Sequence, residues 1–381
     1  MSVLITHPGR QHSHQAALAL QDAGMLAGYW SGVPAVEAQT RRVPAFLRRR
    51  LDRYAPVTLD PRRVRWFPWT PALRRAGPWS DFLACRLFDR WAAGRLPGAD
   101  ATAVVACEIS ARTTFRRARR LGLTTLLDAP SIHHAAQDRL HGTMDSPSLH
   151  RRIVRIKDEE ISLADHILTV SELARGTYLD AGVPPEKVHA VPLGADLDLF
   201  SPDAKEKKTG ELTFLFAGAT IRRKGFDLLL QAFDPMQGAR LRIAGPRGDL
   251  GHLLDGSDPD RISFLGPLTQ PELVAELRRA DVLVLPSRND SYAMVVAEAL
   301  ASGVPVLISE MVGARDLVTE GKTGWIVPVE DVSSLAGRMT WCAGHRAEVR
   351  AMGPDCRRVA ESATWPAYHR RLAELMGALL R

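Results

Sequence analysis

Short apolar runs recur along the chain and alternate with longer stretches whose apolar residues fall at helical spacing. In the first half the runs are VLIT (3–6), AVVAC (103–107), TTLLD (124–128) and HILTV (166–170). In the second they are FLFAG (214–218), RLRIAG (240–245), ISFLG (262–266), DVLVLP (281–286) and VPVLIS (304–309). Runs this short and this uniformly apolar, bounded by Gly, Pro or polar residues, read as strands buried on both faces. HSHQAALALQDAG (12–24) and QPELVAELRRAD (270–281) instead place apolar residues three and four apart and stop at Gly or Asp, which reads as amphipathic helix.

Repeated strand–helix alternation predicts parallel sheets covered by helices. Two such series flank FSPDAKEKKTGEL (200–212), where three of the seven lysines gather near Pro202 and Gly210, the composition of a hinge. The expected fold class is therefore α/β, with two doubly wound, Rossmann-like domains at 1–200 and 201–364. The amphipathic segment 365–381 lies well beyond the last strand and is expected to pack back on the first domain. Open parallel sheets bind ligands beyond the carboxyl ends of their strands. Two of them should face a central cleft, with functional residues in loops that follow strands.

Composition narrows the class. At 381 residues, 45% hydrophobic and 24% charged, the chain has a soluble globular balance. No apolar run approaches the roughly 18–20 residues that cross a bilayer. The start, MSVLITHPGR, enters a strand at once, so no secretory signal is expected there. Cys85, Cys107, Cys342 and Cys356 have no CxxC spacing and read as reduced thiols of a cytoplasmic protein.

Charge is uneven. Residues 1–200 hold 27 Lys and Arg against 20 Asp and Glu, whereas 201–381 hold 23 of each, so the whole excess of +7 sits in the first half. Residues 40–66 carry nine arginines and two aspartates, with Phe46, Tyr54, Trp66, Phe67 and Trp69 among or just after them. Basic residues with interfacial aromatics suit an anionic membrane surface, here through 41–69, or an anionic acceptor. No nucleic-acid-binding motif accompanies them. The location expected is the cytoplasm, peripherally on the inner face of the plasma membrane.

Three segments carry candidate chemistry. In DSYAMVVAEALASGVPV, Asp290 precedes a helix that opens near Tyr292 or Ala293, Glu298 lies inside it, and Gly303 with Pro305 stops it. The first-turn amides of such a helix receive phosphate. FLFAGATIRRKGFDLLLQAF (214–233) is a strand, a loop containing Gly218, then Arg222, Arg223, Lys224 and Gly225 before a helix, which places cations where a charged leaving group would sit. SELARGTYLDAGVPPEKVHAVPLGADLDLFSPD (171–203) leads into the linker.

Together these segments resemble the retaining glycosyltransferases of family 4, which have the two-domain GT-B architecture and in bacteria build cell-surface glycans. The family's acid–seven residues–acid motif appears as Asp290 and Glu298, its KG after the first strand of the second domain as Lys224-Gly225, and its linker as Gly194-Ala195-Asp196 with Phe200 and Pro202. The resemblance covers roughly 165–330 strongly and 1–160 weakly. It implies that Glu298 holds ribose hydroxyls and Asp290 the donor sugar. Arg223 and Lys224, with the amides near Met294 and Val295, would neutralise the diphosphate, and Ile262–Gly266, including Phe264 and Leu265, would frame the base. Gly9, in HPGRQHSHQ, would approach the donor phosphates, and His133 or His134, in PSIHH, the reacting centre.

Two positions depart from the pattern: Asp290 stands where Glu is usual, and Ala219 where many relatives carry Arg, for which Arg222 or Arg223 would compensate. Other matches fail on context. Asp196-Leu-Asp198 lies in the linker, Gly321-Lys322-Thr323 lacks the earlier glycine of a phosphate loop, and His7, His12 and His14 lack metal-ligand spacing. The expected function is transfer of a hexose from a UDP- or GDP-sugar to a glycan or lipid-linked acceptor, with retention, no metal and no further cofactor. The alternatives are a non-catalytic nucleotide-sugar-binding protein or a nucleotide-sugar epimerase of the same architecture.

Overall fold

The computed structural model describes residues 1–40, 58–73, 77–142, 146–202 and 210–381. Residues 203–209 of the expected hinge and 41–57 of the basic stretch lie outside these, so only 58–69 of the expected membrane-contact segment is described. The chain divides into two compact units: residues 1–170, 174–191 and 368–381, and residues 171–173 and 192–367. The division falls at Pro192, compared with the expected boundary after 200, and the helix Trp365–Leu379 enters the first unit at Tyr368. Among the described residues, no helix is long and apolar enough to cross a membrane, and the four cysteines are buried and form no disulfide.

The first unit is built on β1 (Val3–His7), β2 (Leu26–Ser31), β3 (Val64–Trp66), β4 (Ala103–Cys107), β5 (Thr124–Ala129), β6 (His166–Thr169) and β7 (Val188–Ala190). They form one parallel sheet in the order β3-β2-β1-β4-β5-β6-β7. The second unit holds β8 (Leu212–Ala217), β9 (Ala239–Ala244), β10 (Ile262–Gly266), β11 (Val282–Leu285), β12 (Val306–Ser309) and β13 (Gly324–Val327). Its parallel order is β10-β9-β8-β11-β12-β13. Each order reverses beside its first strand, between β1 and β4 and between β8 and β11. A crevice for ligands opens at such a switch point, so the loops after these four strands carry the candidate chemistry.

Every strand read from the apolar runs is present. The additional β2 was masked in the sequence by Gly28, which normally argues against a strand interior. A Cβ there would lie 3.2 Å from the Arg63 carbonyl oxygen and 3.3 Å from Leu4 Cδ1, so close packing favours glycine. Strand β3 is only three residues long, too short for its alternation to be read.

Buried carboxylates organise the loop after β4. The helix Arg112–Arg120 is strongly basic and begins with amides that have no partners of their own. Glu160 accepts the amides of Ile109, Ala111 and Arg112 at 2.6, 2.8 and 2.9 Å. Asp89, fully buried, accepts those of Thr113 and Thr114, both at 2.8 Å, and pairs with buried Arg86 at 2.8 Å. Replacing Asp89 with Ala strands the Arg86 charge and two helix amides together. The expected loss is about 3–5 kcal/mol, measured by urea denaturation; a loss below about 1 kcal/mol would mean that the pair acts as an ordinary surface bridge.

Candidate functional site

In the second unit the chain leaves β8 at Gly218, turns through Arg222–Lys224 and starts the helix Phe226–Phe233. Gly225 makes the corner in the left-handed region, with φ 67°, and a Cβ there would lie 1.9 Å from the Pro286 carbonyl oxygen. No other residue fits both conditions, which is the physical content of the Lys-Gly pair. The loop after β11 is therefore pressed directly against the loop after β8.

Arg288 fastens these loops. It is 4% exposed, and its five N–H donors all find acceptors. Nη1 reaches Asp227 at 2.7 Å and the Arg222 carbonyl at 2.6 Å; Nη2 reaches Asp227 at 2.8 Å and Glu330 at 3.0 Å; Nε bonds Glu330. The Arg288 amide donates to the Arg223 carbonyl at 2.9 Å. The bonds to Asp227 outweigh burial and raise the guanidinium pKa further. Burial pushes the Asp227 carboxyl up, but the bonds and charge of Arg288 hold it below its usual range.

The residues singled out in sequence sit on this frame. Lys224 Nζ pairs with Asp290 Oδ2, and Arg223 Nη1 donates to the Asn289 carbonyl at 3.2 Å. Asp290 is itself fixed by its backbone, donating to Met311 at 2.9 Å and accepting from Gly313 at 2.8 Å. Gly313 leaves no room for a side chain, since a Cβ would meet the Ser291 carbonyl at 2.0 Å. The chain then enters the helix Met294–Ala301 through Ala293, a non-glycine residue at φ 64° and ψ 76°. Such a left-handed entry costs of order 1–3 kcal/mol and is kept only where its surroundings over-determine it. Met294 and Val295 are half-buried and supply first-turn amides. Glu298 is 8% exposed, and burial raises its carboxyl to about 7. No side-chain partner is recorded for it among the described residues. Gly218 donates its amide to Ala244 at 2.8 Å. Phe264 and Leu265 lie half-buried in β10, two strands from β8, with the Arg247 guanidinium 5.2 Å from the Phe264 ring centre.

In the first unit the Gly9 amide donates to His7 Nδ1 at 2.9 Å and fixes the loop after β1. His12 Nε2 pairs with Asp128 Oδ1 at 3.0 Å, at the end of β5. Burial lowers the imidazole pKa and raises the carboxyl, but their mutual charge and hydrogen bond outweigh it, moving His12 up and Asp128 down. Glu108, after β4, pairs with buried Lys157 at 2.9 Å. His133 caps the helix His134–His141 by accepting the Ala135 amide at Nδ1, 3.2 Å away. Burial first, then the neighbouring His134, lower it to about 4, so it is neutral at pH 7 and its proton sits on Nε2. His134 is lowered mainly by burial, and its Nε2 meets Asp158 at 2.9 Å. Its Nδ1 is buried without a partner among the described residues.

Sequence reading missed Arg288, Asp128, His12 and Glu108 as site residues. Each follows a strand next to a switch point or pairs with one that does, so strand ends and strand order together would have found them. His7, Cys107 and Asp128 bring one ligand atom each within 4.8 Å, close enough for a metal ion. Their chemistry fits poorly. His7 Nδ1 accepts from Gly9, which leaves the proton on Nε2, and burial pushes the Cys107 thiol well above its usual range.

Residues 211–344, which contain the Lys224, Arg288, Asp290 and Glu298 cluster, match the profile of the family described as Glycosyl transferases group 1. A D-inositol 3-phosphate glycosyltransferase of Catenulispora acidiphila is 32% identical over 184 residues, 41% of this chain and 43% of that protein. A glycogen synthase of Mycobacterium tuberculosis is 27% identical over 227 residues, 57% of this chain and 55% of that protein. The chain thus spans about half the length of the curated relatives it matches. Two solved structures share the fold over nearly all of both chains. Sucrose-phosphate synthase from Thermosynechococcus elongatus has a TM-score of 0.78 at 19% identity, covering 100% of this chain and 99% of that one. Anabaena HepE in complex with UDP has a TM-score of 0.72 at 13% identity, covering 99% and 100%. This chain has the GT-B fold, and its residues 211–344 are similar to the glycosyl transferases group 1 family.

Proposed function

We propose that this chain is a retaining hexosyltransferase that moves a sugar from a nucleoside diphosphate sugar, UDP- or GDP-linked, to a glycan or lipid-linked acceptor. One observation carries the reading: Lys224 and Asp290, held together by the Arg288 frame, stand before a helix whose first amides follow a strained entry. The relation to HepE supports a nucleotide-sugar donor, since its structures are described in complex with UDP, with UDP and glucose, and with UDP-glucose.

In this mechanism the bond between the anomeric carbon and the diphosphate oxygen breaks, and negative charge grows on the phosphate. Lys224, Arg223 and the Met294 and Val295 amides are aimed at that charge, and fixed donors of this kind make the largest contribution in such catalysis. The cations take the part that a divalent metal plays elsewhere. The acceptor oxygen bonds the anomeric carbon from the face the phosphate leaves, and its proton passes to that phosphate. Asp290 receives hydroxyls of the sugar and Glu298 those of the ribose. In the first unit, His133 donates from Nε2 to a substrate oxygen; its neutral, capped state suits a donor and not a base.

A thermal-shift panel of UDP, GDP, ADP and their sugars tests the reading. One series at about 100 times its dissociation constant should stabilise the wild type by about 2.7 kcal/mol and Glu298→Ala by far less. No stabilisation by any of them would remove the proposal. Glu298 also sets a pH dependence of its own. Between 4.5, its ordinary value, and about 7 it is protonated in the folded chain and ionised in the unfolded one. The folded chain binds more protons there, so stability falls as pH rises through this window, by up to about 3 kcal/mol. Urea denaturation at pH 4.5 and 7.5 should show Glu298→Gln without this loss; equal slopes in both proteins would contradict the assignment.

A further inference from the structure

Along β3, the outer strand of the first unit's sheet, runs an open groove of about 620 Å³ lined by Gln39, Arg65, Trp66, Trp69, Trp91 and Arg95, among others. Trp69 is 64% exposed, a large apolar area to leave in water. The Trp66 indole N–H is buried without an acceptor among the described residues. Arg65 lies 5.4 Å from the Trp30 ring centre and Arg95 lies 4.7 Å from that of Trp91. Neither pairs with a carboxylate among the described residues, and the lining contains no acid. Flat apolar faces, guanidinium groups without a carboxylate partner and polar donors are thus gathered in one concave place.

The groove is tied to the candidate site. The Phe67 amide donates to Ser31 and the Gly32 amide to His7, both at 2.9 Å, so the chain ends of β3, β2 and β1 are stitched in sequence. Trp66 therefore ends about 10 Å, two strand spacings, from the Gly9 loop. We propose that this groove binds the acceptor, and that the acceptor is a saccharide carrying a carboxylate or phosphate; this rests on the transferase reading above. Indole faces stack on the C–H face of a sugar ring, and guanidinium groups grip an acid group in bidentate fashion. A bilayer would engage protruding side chains, whereas these line a concavity.

The test is quenching of tryptophan fluorescence by hyaluronan tetrasaccharide, by a mannose 6-phosphate-bearing oligosaccharide and by neutral cellotetraose. At least one charged saccharide should bind saturably and at least tenfold more tightly than cellotetraose. Trp69→Ala and the double change Arg65→Glu, Arg95→Glu should each weaken that binding at least tenfold while keeping the wild-type melting temperature. All three positions are judged by that temperature, because Trp69, Arg65 and Arg95 are exposed and the fold does not rest on them. Binding by neither charged saccharide, equal binding of cellotetraose, unchanged binding by the variants, or response to phosphatidylglycerol vesicles alone would each overturn the proposal. Nucleotide binding is scored separately on the wild type. Saccharide without nucleotide removes the transferase reading and leaves an anionic saccharide site; nucleotide without saccharide removes the groove alone.

Discussion

The second unit depends on a single buried guanidinium. An arginine out of water is tolerable only when its charge is matched and every N–H is satisfied, and Arg288 meets both conditions through Asp227, Glu330 and the Arg222 carbonyl. The consequence reaches beyond its own pairing. Because one acceptor is backbone in the loop after β8 and another begins the following helix, satisfying Arg288 fixes where Arg223 and Lys224 start. Because Arg288 itself lies in the loop after β11, the same bonds fix where Asn289 and Asp290 lie. Cations and acid of the candidate site are thus positioned by one group that need not touch a ligand.

The first unit reaches a similar end by inverse means. There, buried carboxylates do the fastening: Asp89 and Glu160 hold the loop after β4, and Asp128 holds His12 near the loop after β1. Both units follow one plan in which the strand order reverses beside the first strand, and rigid polar anchors set the loops at that reversal. Glycines complete the plan where backbones must touch, as Gly225 against Pro286 and Gly313 against Ser291 show.

Much of this was legible in the residues. Nine apolar runs located nine strands, because parallel strands covered by helices write themselves as short, mainly apolar stretches. The helix around Glu298 and its stop at Gly303 were also readable from capping chemistry. The rest was hidden for definite reasons. Gly28 disguised β2, and β3 was too short to show a period. Arg288 looked like one more surface arginine in a chain with 43 of them, since nothing local marks a guanidinium whose partners lie 61 and 42 residues away. Asp128 closed a strand and was read as its boundary, while its pairing with His12 spans 116 residues. Long-range charge pairing is what sequence pattern conceals best.

The most direct test of this account is hydrogen–deuterium exchange on Arg288→Lys, which keeps the charge and removes the fork. The account predicts that the amides of Lys224, Gly225 and residue 288, which are bonded to Ile221, Arg222 and Arg223, exchange at least tenfold faster while the first unit's strands keep their protection. Unchanged exchange at those three amides would contradict it, and the site would then be held by packing alone.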